Sequence, residues 1–391
     1  MRIHLCLLLT CILLTASCAQ QPLEPEPPTA DAAADAAPAP AGSEHFVALD
    51  PQEVEEAEAI RLLSLEMSLS GTLERQARVW TVGSRLRTAG APLCDDVRYT
   101  YGFFAVDRDD FGPYWARVAD GVGLEPGVRV WTVRDDIAAV AGTLSRGDRI
   151  VAVDDETVSD FDSFEDAMSR PAKDGVLMMT VERPSGEIVD VGLQGIEACD
   201  YRIALVEDDM TRTFVKGRDV YVTSGLLDFF RSDDELAVML AHEMSHESLG
   251  HFTRKQVQAF AGVLAEVAIT VFTGVGTGGA LARLGANAFA GGMERKADGL
   301  SLYIVARAGY DASVAPELWT RIATELPIED QGSVIMHHPI SPRRVQRMQV
   351  VSNDVARKLA DGEELVPTKR DDERILTADA ADEDLVPGVV R

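Results

Sequence analysis

Two histidines four residues apart, His242 and His246, with Glu243 beside the first, form the pattern in this chain most able to do chemistry. On a helix, residues i and i+4 project from one face, so both imidazoles can reach a single metal ion. Glu243 then stands next to that ion, placed to take a proton from an activated water, which suits metal-assisted hydrolysis. By chance the five-residue pattern occurs in roughly one in a hundred chains of this length, so its weight depends on what accompanies it.

Four features accompany it. Of the six histidines after residue 17, five fall in two groups, His242/His246/His251 and His337/His338. Glu294, in the run Glu294-Arg295-Lys296-Ala297-Asp298, supplies a third ligand. Two His and one Glu leave a coordination position open, as catalytic zinc requires, so one Zn2+ per chain is expected. Asp298 follows Glu294 by four residues and shares its face, where it can orient His242, His246 or another ligand through a hydrogen bond. His251 lies about 140° round an ideal helix from His246 and is left out of the ligand set. The fourth feature is the helix itself. Ser232-Asp233-Asp234-Glu235 has the form of a capping box and is followed by Leu236, Val238, Met239 and Leu240, so a rigid helix begins just before His242.

The elements around that helix divide the chain. From Pro51 to about Ala89 the pattern is helical, with Leu62, Leu63, Met67, Leu69, Leu73, Val79, Val82 and Leu86 as one apolar face. Between about Tyr99 and Gly195 the character changes. Val128–Val133, Arg149–Val153, Val176–Val181 and Ile188–Leu193 read as strands, and Asp162–Met168 as a short helix. Ala259–Gly292 is apolar and glycine-rich but interrupted by Glu266 and Arg283, and reads as two small-residue helices over the cleft rather than a membrane span.

The N-terminus sets the compartment. Arg2 precedes an apolar run from Ile3 to Ala16, the length of a signal-peptide core and too short to span a bilayer. Leu14-Thr15-Ala16-Ser17-Cys18 resembles a bacterial lipobox, which implies a signal peptide over 1–17 and lipid on Cys18. Residues 18–45, rich in Pro and Ala, read as an extended tether. Cys6 and Cys11 leave with the signal, so Cys94 and Cys199 remain as a pair in an oxidising compartment and suggest a disulfide; two separate buried thiols are the alternative. The net charge of −27 argues against nucleic acid as a partner. Much of that charge lies in residues 360–391, which read as a solvated, disordered acidic tail.

The middle segment resembles a bacterial PDZ domain, through Asp136-Ile137-Ala138-Ala139-Val140-Ala141-Gly142-Thr143-Leu144-Ser145-Arg146-Gly147-Asp148-Arg149-Ile150-Val151-Ala152-Val153-Asp154. Gly142 and Gly147 suit turns, and Asp148 can bond its own loop. Such domains add an extended peptide C-terminus to a sheet edge. Gly121-Val122-Gly123-Leu124 is the candidate carboxylate-binding loop; a spacer that binds nothing is the alternative. Cys94 and Cys199 bracket this module as if it were inserted, giving a PDZ-like domain over 99–198 within a host of 46–98 and 199–359.

Four blocks of the host resemble the zinc metallopeptidase family that includes the CAAX-prenyl protease, the HtpX heat-shock protease and the periplasmic HExxH lipoproteins. They are Thr213 to Leu227, Ala241 to His251, Glu294 to Asp311, and His338-Pro339-Ile340-Ser341-Pro342-Arg343-Arg344. The resemblance implies an α+β fold, a mainly helical zincin-like domain with a small edge sheet, interrupted by the β-rich module. It also implies that the strand Phe214–Ser224 borders the cleft and that Asp298 supports the metal site or donates a proton. Two departures stand out: the family's Asn-Ala-Phe reads Arg212-Thr213-Phe214, and Lys296 replaces a second Glu. His338 either reaches the metal or a transition-state oxyanion, or is a structural partner of buried acids. Arg344 reads as a structural ion pair.

The expected function is a zinc endopeptidase, lipid-anchored on the periplasmic face of the bacterial envelope and favouring the outer membrane. It would hydrolyse misfolded or misassembled envelope proteins with Glu243 as general base, recruiting extended C-termini at the PDZ-like domain. The alternative is a chaperone or assembly factor that acts by binding.

Overall fold

The structure, a computed structural model, describes residues 50–137, 140–170, 175–216, 218–249, 290–326, 338 and 340–367. The signal peptide, Cys18, the tether, His251, His337, the apolar stretch as far as residue 289 and most of the acidic tail lie outside the described residues. The chain divides into two compact units, residues 1–56 and 57–391; of the first, only the opening turns of α1 are described.

Helix α1 (Pro51–Gly90) buries Leu69, Leu73, Val79, Val82 and Leu86. Leu63 and Met67, expected on the same face, are 56% and 68% exposed. One residue turns a helix by about 100°, which carries them off the face shared by Leu62, Leu65, Leu69 and Leu73. Gly83 lets α1 lie close to the host sheet, since a Cβ there would meet Ile203 at 2.9 Å.

The β-rich module follows. β1 (Val97–Thr100) leads to β2 (Phe103–Asp107), the short α2 (Gly112–Ala116), β3 (Val128–Val133), β4 (Arg149–Val153) and β5 (Glu156–Thr157). Then come α3 (Phe161–Ser169), β6 (Val176–Glu182), β7 (Ile188–Gln194) and β8 (Ile196–Cys199). One antiparallel sheet runs β2-β3-β4-β6-β7, with β5 paired to β4. Alternate residues of β6 and β7 point inward: Leu177, Met179, Val181, Val191 and Leu193 pack with Phe164 of α3. Gly142 and Gly147 adopt φ of 80° and 91°, and the Asp148 carboxylate accepts from the Ser145 N–H at 2.8 Å. Val122 and Leu124 pack with Leu69 and Leu73 of α1. The Gly121–Leu124 segment, the candidate carboxylate-binding loop, thus packs against α1 through these two side chains.

The two ends of this module are fastened together. β1 pairs antiparallel with β8, placing Val97 opposite Cys199. Cys94 and Cys199 form a disulfide with Cα atoms 5.7 Å apart.

Beyond the bridge, β9 (Arg202–Val206), β10 (Thr213–Lys216) and β11 (Asp219–Thr223) form a sheet in the order β10-β11-β9. The single strand expected over Phe214–Ser224 is therefore a hairpin, because the chain reverses where Lys216 pairs with Asp219. Thr223 caps α4 (Ser224–Phe229), its side chain accepting from the Leu226 N–H. Next come α5 (Asp233–Ser248), α6 (Ala290–Arg307), α7 (Ala315–Glu325) and α8 (Pro342–Asp361). α5 packs against α6, and α8 against α6 and α7. Ser232 caps α5 by accepting from the Glu235 N–H. Glu235 does not complete the box on Ser232. One of its oxygens accepts from the Arg231 N–H, and the other pairs with the buried Arg321, whose charge needs a counterion away from water.

Candidate metal centre

Every residue of α5 from Glu235 to His246 is buried, as befits a helix packed on all sides at the centre of a domain. Polar groups on such a helix are costly unless they are partnered. His242, Glu243 and His246, exposed by 2% or less, find their partners on two other elements. Glu294 and Asp298 come from α6, one turn apart. His338 and Arg344 come from the segment leading into α8 and from its first turn, where Ser341 is the N-cap.

The donor atoms converge. His242 Nε2 lies 3.1 Å from His246 Nε2, 3.1 Å from His338 Nδ1 and 3.4 Å from Glu294 Oε2. Glu294 Oε1 is 3.3 Å from His246 Nε2, and Oε2 is 3.0 Å from His338 Nδ1. All four residues can place one donor atom within 4.8 Å of the others. Bonds of ~2.0–2.1 Å to a tetrahedral zinc put neighbouring ligand atoms roughly 3.3–3.4 Å apart, close to these spacings. Protons alone explain the cluster poorly. One ring nitrogen faces two others at 3.1 Å, and buried Glu294 Oε1 has no hydrogen-bond partner among the described residues. Nitrogen and carboxylate donors in this number and geometry fit Zn2+.

Around the donors the charges are balanced in pairs. His242 Nδ1, on the far side of the ring, is 3.0 Å from Asp298 Oδ1; the contact is near enough for a hydrogen bond but off its ideal line. Arg344 clamps Asp298 with both arms, Nε to Oδ2 at 2.7 Å and Nη2 to Oδ1 at 2.8 Å, and reaches Glu294 Oε2 at 3.1 Å. Arg344 also lies over the ring of the buried Trp319, 4.2 Å from its centroid, and that ring meets His242 edge-on at 5.1 Å. The Arg344 ion pair therefore belongs to the metal pocket itself. Burial would raise the pKa of Asp298, but the Arg344 guanidinium and His242 together outweigh it and hold the carboxyl below its usual range.

Glu243 faces the cluster without joining it. Its Oε1 is 2.9 Å from His338 Nε2 and accepts from the Thr213 hydroxyl at 2.6 Å. Burial opposes its ionisation, yet His338, then His242 and His246, keep Glu243 well below the usual carboxylate range. His338 in turn is lowered by burial but pushed up to about 9 by Glu243 and Glu294. His246 is lowered to about 4, chiefly by burial, which favours the neutral imidazole that binds metals.

The structure brings together His242, Glu243, His246, Glu294, Asp298 and His338. It places Cys94 at the foot of the same helix, Sγ 3.5 Å from Ser248 Oγ. Two residues of the site carried no assigned role in the sequence. Thr213 stood out only as a departure from a family motif, and Trp319 gave no signal at all.

Residues 189–351 match the model of Peptidase family M48. The chain is 25% identical over 166 residues to the mitochondrial metalloendopeptidase OMA1 of Schizosaccharomyces pombe, covering 41% of this chain and 49% of that one. It is 26% identical over 160 residues to the beta-barrel assembly-enhancing protease of Yersinia pestis, covering 37% and 33%. OMA1 of Arabidopsis thaliana is 27% identical over 154 residues, with 38% and 31% covered. The matches span between about a third and a half of the length of these relatives.

Proposed function

Because residues 189–351 form a peptidase family M48 domain, we propose that this chain is a zinc-dependent endopeptidase with His242, His246 and Glu294 as its metal ligands. The observation that carries the proposal is the convergence of buried donors, with Glu243 facing them and held in place on its own side. Bound there, Zn2+ would polarise the scissile carbonyl and make water acidic enough to attack at neutral pH.

The protein's own groups do the rest. Glu243 takes the proton of the attacking water and hands it to the departing amine. Asp298 fixes the His242 ring through Nδ1, and Arg344 balances the buried charge of Asp298 and Glu294. His338 Nδ1 sits among the proposed ligand atoms, 3.1 Å from His242 Nε2 and 3.0 Å from Glu294 Oε2. Its Nε2, on the other side of the ring and 2.9 Å from Glu243 Oε1, would serve a developing oxyanion. The outer edge of β10 offers a peptide backbone a strand to pair with.

The substrates in this reading are misfolded or misassembled proteins of the bacterial envelope. The name of the Yersinia pestis relative supports it, as do the signal-like N-terminus and the lipobox around Cys18. The sheet of residues 103–194 would act as a PDZ-like module that recruits extended C-termini, over an insertion of 99–198 in a host of 46–98 and 199–359. Among the described residues no helix is long and apolar enough to cross a membrane, and the lipid on Cys18 would supply the attachment. The test is zinc content together with casein hydrolysis, with and without a chelator. One zinc per chain and chelator-sensitive cleavage restored by Zn2+ are expected; protein that binds no zinc would end the reading. Full biological activity in Glu243→Gln would favour a binding role instead.

A further inference from the structure

Thr213 opens β10, the outer strand of the three-stranded host sheet. Among the described residues no strand pairs with its outer edge. Across the hairpin Thr213 sits opposite Val222. The next pair, Arg212 and Thr223, is joined by the Thr223 N–H donating to the Arg212 carbonyl at 3.2 Å. Hydrogen-bonded and non-hydrogen-bonded pairs alternate along an antiparallel ladder. The Thr213–Val222 pair is therefore of the second kind, and the N–H and C=O of Thr213 point away from β11; Thr213 is itself buried, and Val215, the next residue with this orientation, is half-buried.

The side chain of the same residue reaches into the site. Thr213 is 3% exposed, and its hydroxyl donates to Glu243 Oε1 at 2.6 Å. That oxygen also meets His338 Nε2. Both contacts fall on Oε1, and Oε2 is the oxygen assigned to receive a proton. The edge strand β10 thus carries, at its buried first residue, the hydroxyl that bonds Glu243.

We propose that Thr213 is a positioning residue that couples peptide alignment to the orientation of Glu243: a peptide strand added along the outer edge of β10 fixes that strand, and the Thr213 hydroxyl then holds Oε1 so that Oε2 faces the attacking water. The proposal deepens the peptidase reading and rests on it. A base held off its line loses proton-transfer efficiency while peptide binding persists, so the loss falls on kcat.

The experiment compares the zinc-loaded full chain with Thr213→Val and Thr213→Ser on an internally quenched peptide. Thr213→Val is expected to keep its zinc and a KM within about twofold while kcat falls on the order of tenfold or more. Thr213→Ser, which restores a hydroxyl, should recover kcat to within about threefold of the parent. Parental kcat in Thr213→Val, or a Thr213→Ser as slow as Thr213→Val, overturns the proposal. If the Val variant does not fold, Thr213→Ala makes the same comparison. A second readout is independent of hydrolysis: a double-mutant cycle of Thr213→Val and Glu243→Ala on the melting temperature of the chelator-treated protein. Non-additive shifts are expected from a direct bond, and additive shifts overturn it. A parent chain that binds zinc but cleaves no peptide refutes the peptidase reading, and the cycle still decides the Thr213–Glu243 contact.

Discussion

Asp298 Oδ1 lies 3.0 Å from His242 Nδ1, on the side of the ring opposite the converging ligand atoms. A carboxylate in this place fixes the ring and its tautomer and makes the far nitrogen a better ligand. Asp298→Asn should therefore weaken zinc binding by roughly 10–100-fold, read by competition with a chromophoric chelator. Unchanged affinity would remove Asp298 from the metal site.

The three-ligand assignment separates His338 from His246. Purified His246→Ala should lose stoichiometric zinc, because only His242 and Glu294 remain of the proposed set. His338→Ala should retain it, because three donors suffice. Metal analysis of the two variants side by side decides the assignment, and loss of zinc from both would make His338 an obligatory ligand.

Glu243→Gln keeps the size of the side chain and removes the proposed base. Zinc content should stay at one per chain while peptide hydrolysis falls by about 10²–10⁴-fold. Chelator-sensitive hydrolysis at the parental rate would transfer the base to another group.

Arg344 compensates two buried carboxylates, Asp298 and Glu294. Removing one partner of a buried pair strands the other charge, so Arg344→Met should cost about 3–5 kcal/mol in urea unfolding. Arg344→Lys should rescue little of it, since a lysine cannot reproduce the two-armed contact with Asp298.

Asp110 gives a pH test away from the metal. It is solvent-exposed, but partial desolvation and the nearby carboxylates of Asp107, Asp162, Glu165 and Asp109 push it up to about 6. Its pKa when folded is above the value of about 4 in the unfolded chain, so the folded state binds the proton better. The penalty is absent below pH ~4 and grows as pH rises through about 6. Asp110→Asn should accordingly raise the melting temperature at pH 8 and leave it unchanged at pH 4. An equal shift at both pH values would refute the electrostatic cause.

Local patterns were legible along the chain because each has a short-range physical cause. The strands Val128–Val133 and Arg149–Val153 begin and end at the expected residues, since period-two burial and flanking turns are written in neighbouring positions. Ser232 caps α5 as its sequence indicates. The failures are equally local in origin. The spacing of Leu63 and Met67 suggests the buried face, but a one-residue offset decides which side of a helix meets a partner. The hairpin at Lys216–Asp219 was read as one strand, because apolar residues run on both sides of the reversal.

For the site, the donors are written along the chain: His242 and His246 at helical spacing with Glu243 beside the first, and Glu294 with Asp298 one turn further along its own helix. Their chemistry follows from residue type and from a period of 3.6, both readable without knowing what packs where. Packing alone sets which nitrogen of His242 meets Asp298, that Arg344 lies in the pocket rather than on a distant surface, and that Thr213 bonds Glu243. These are contacts between residues 30 to 102 positions apart. Their distances are set by how α5, α6, α8 and β10 pack, and no periodicity along the chain encodes that.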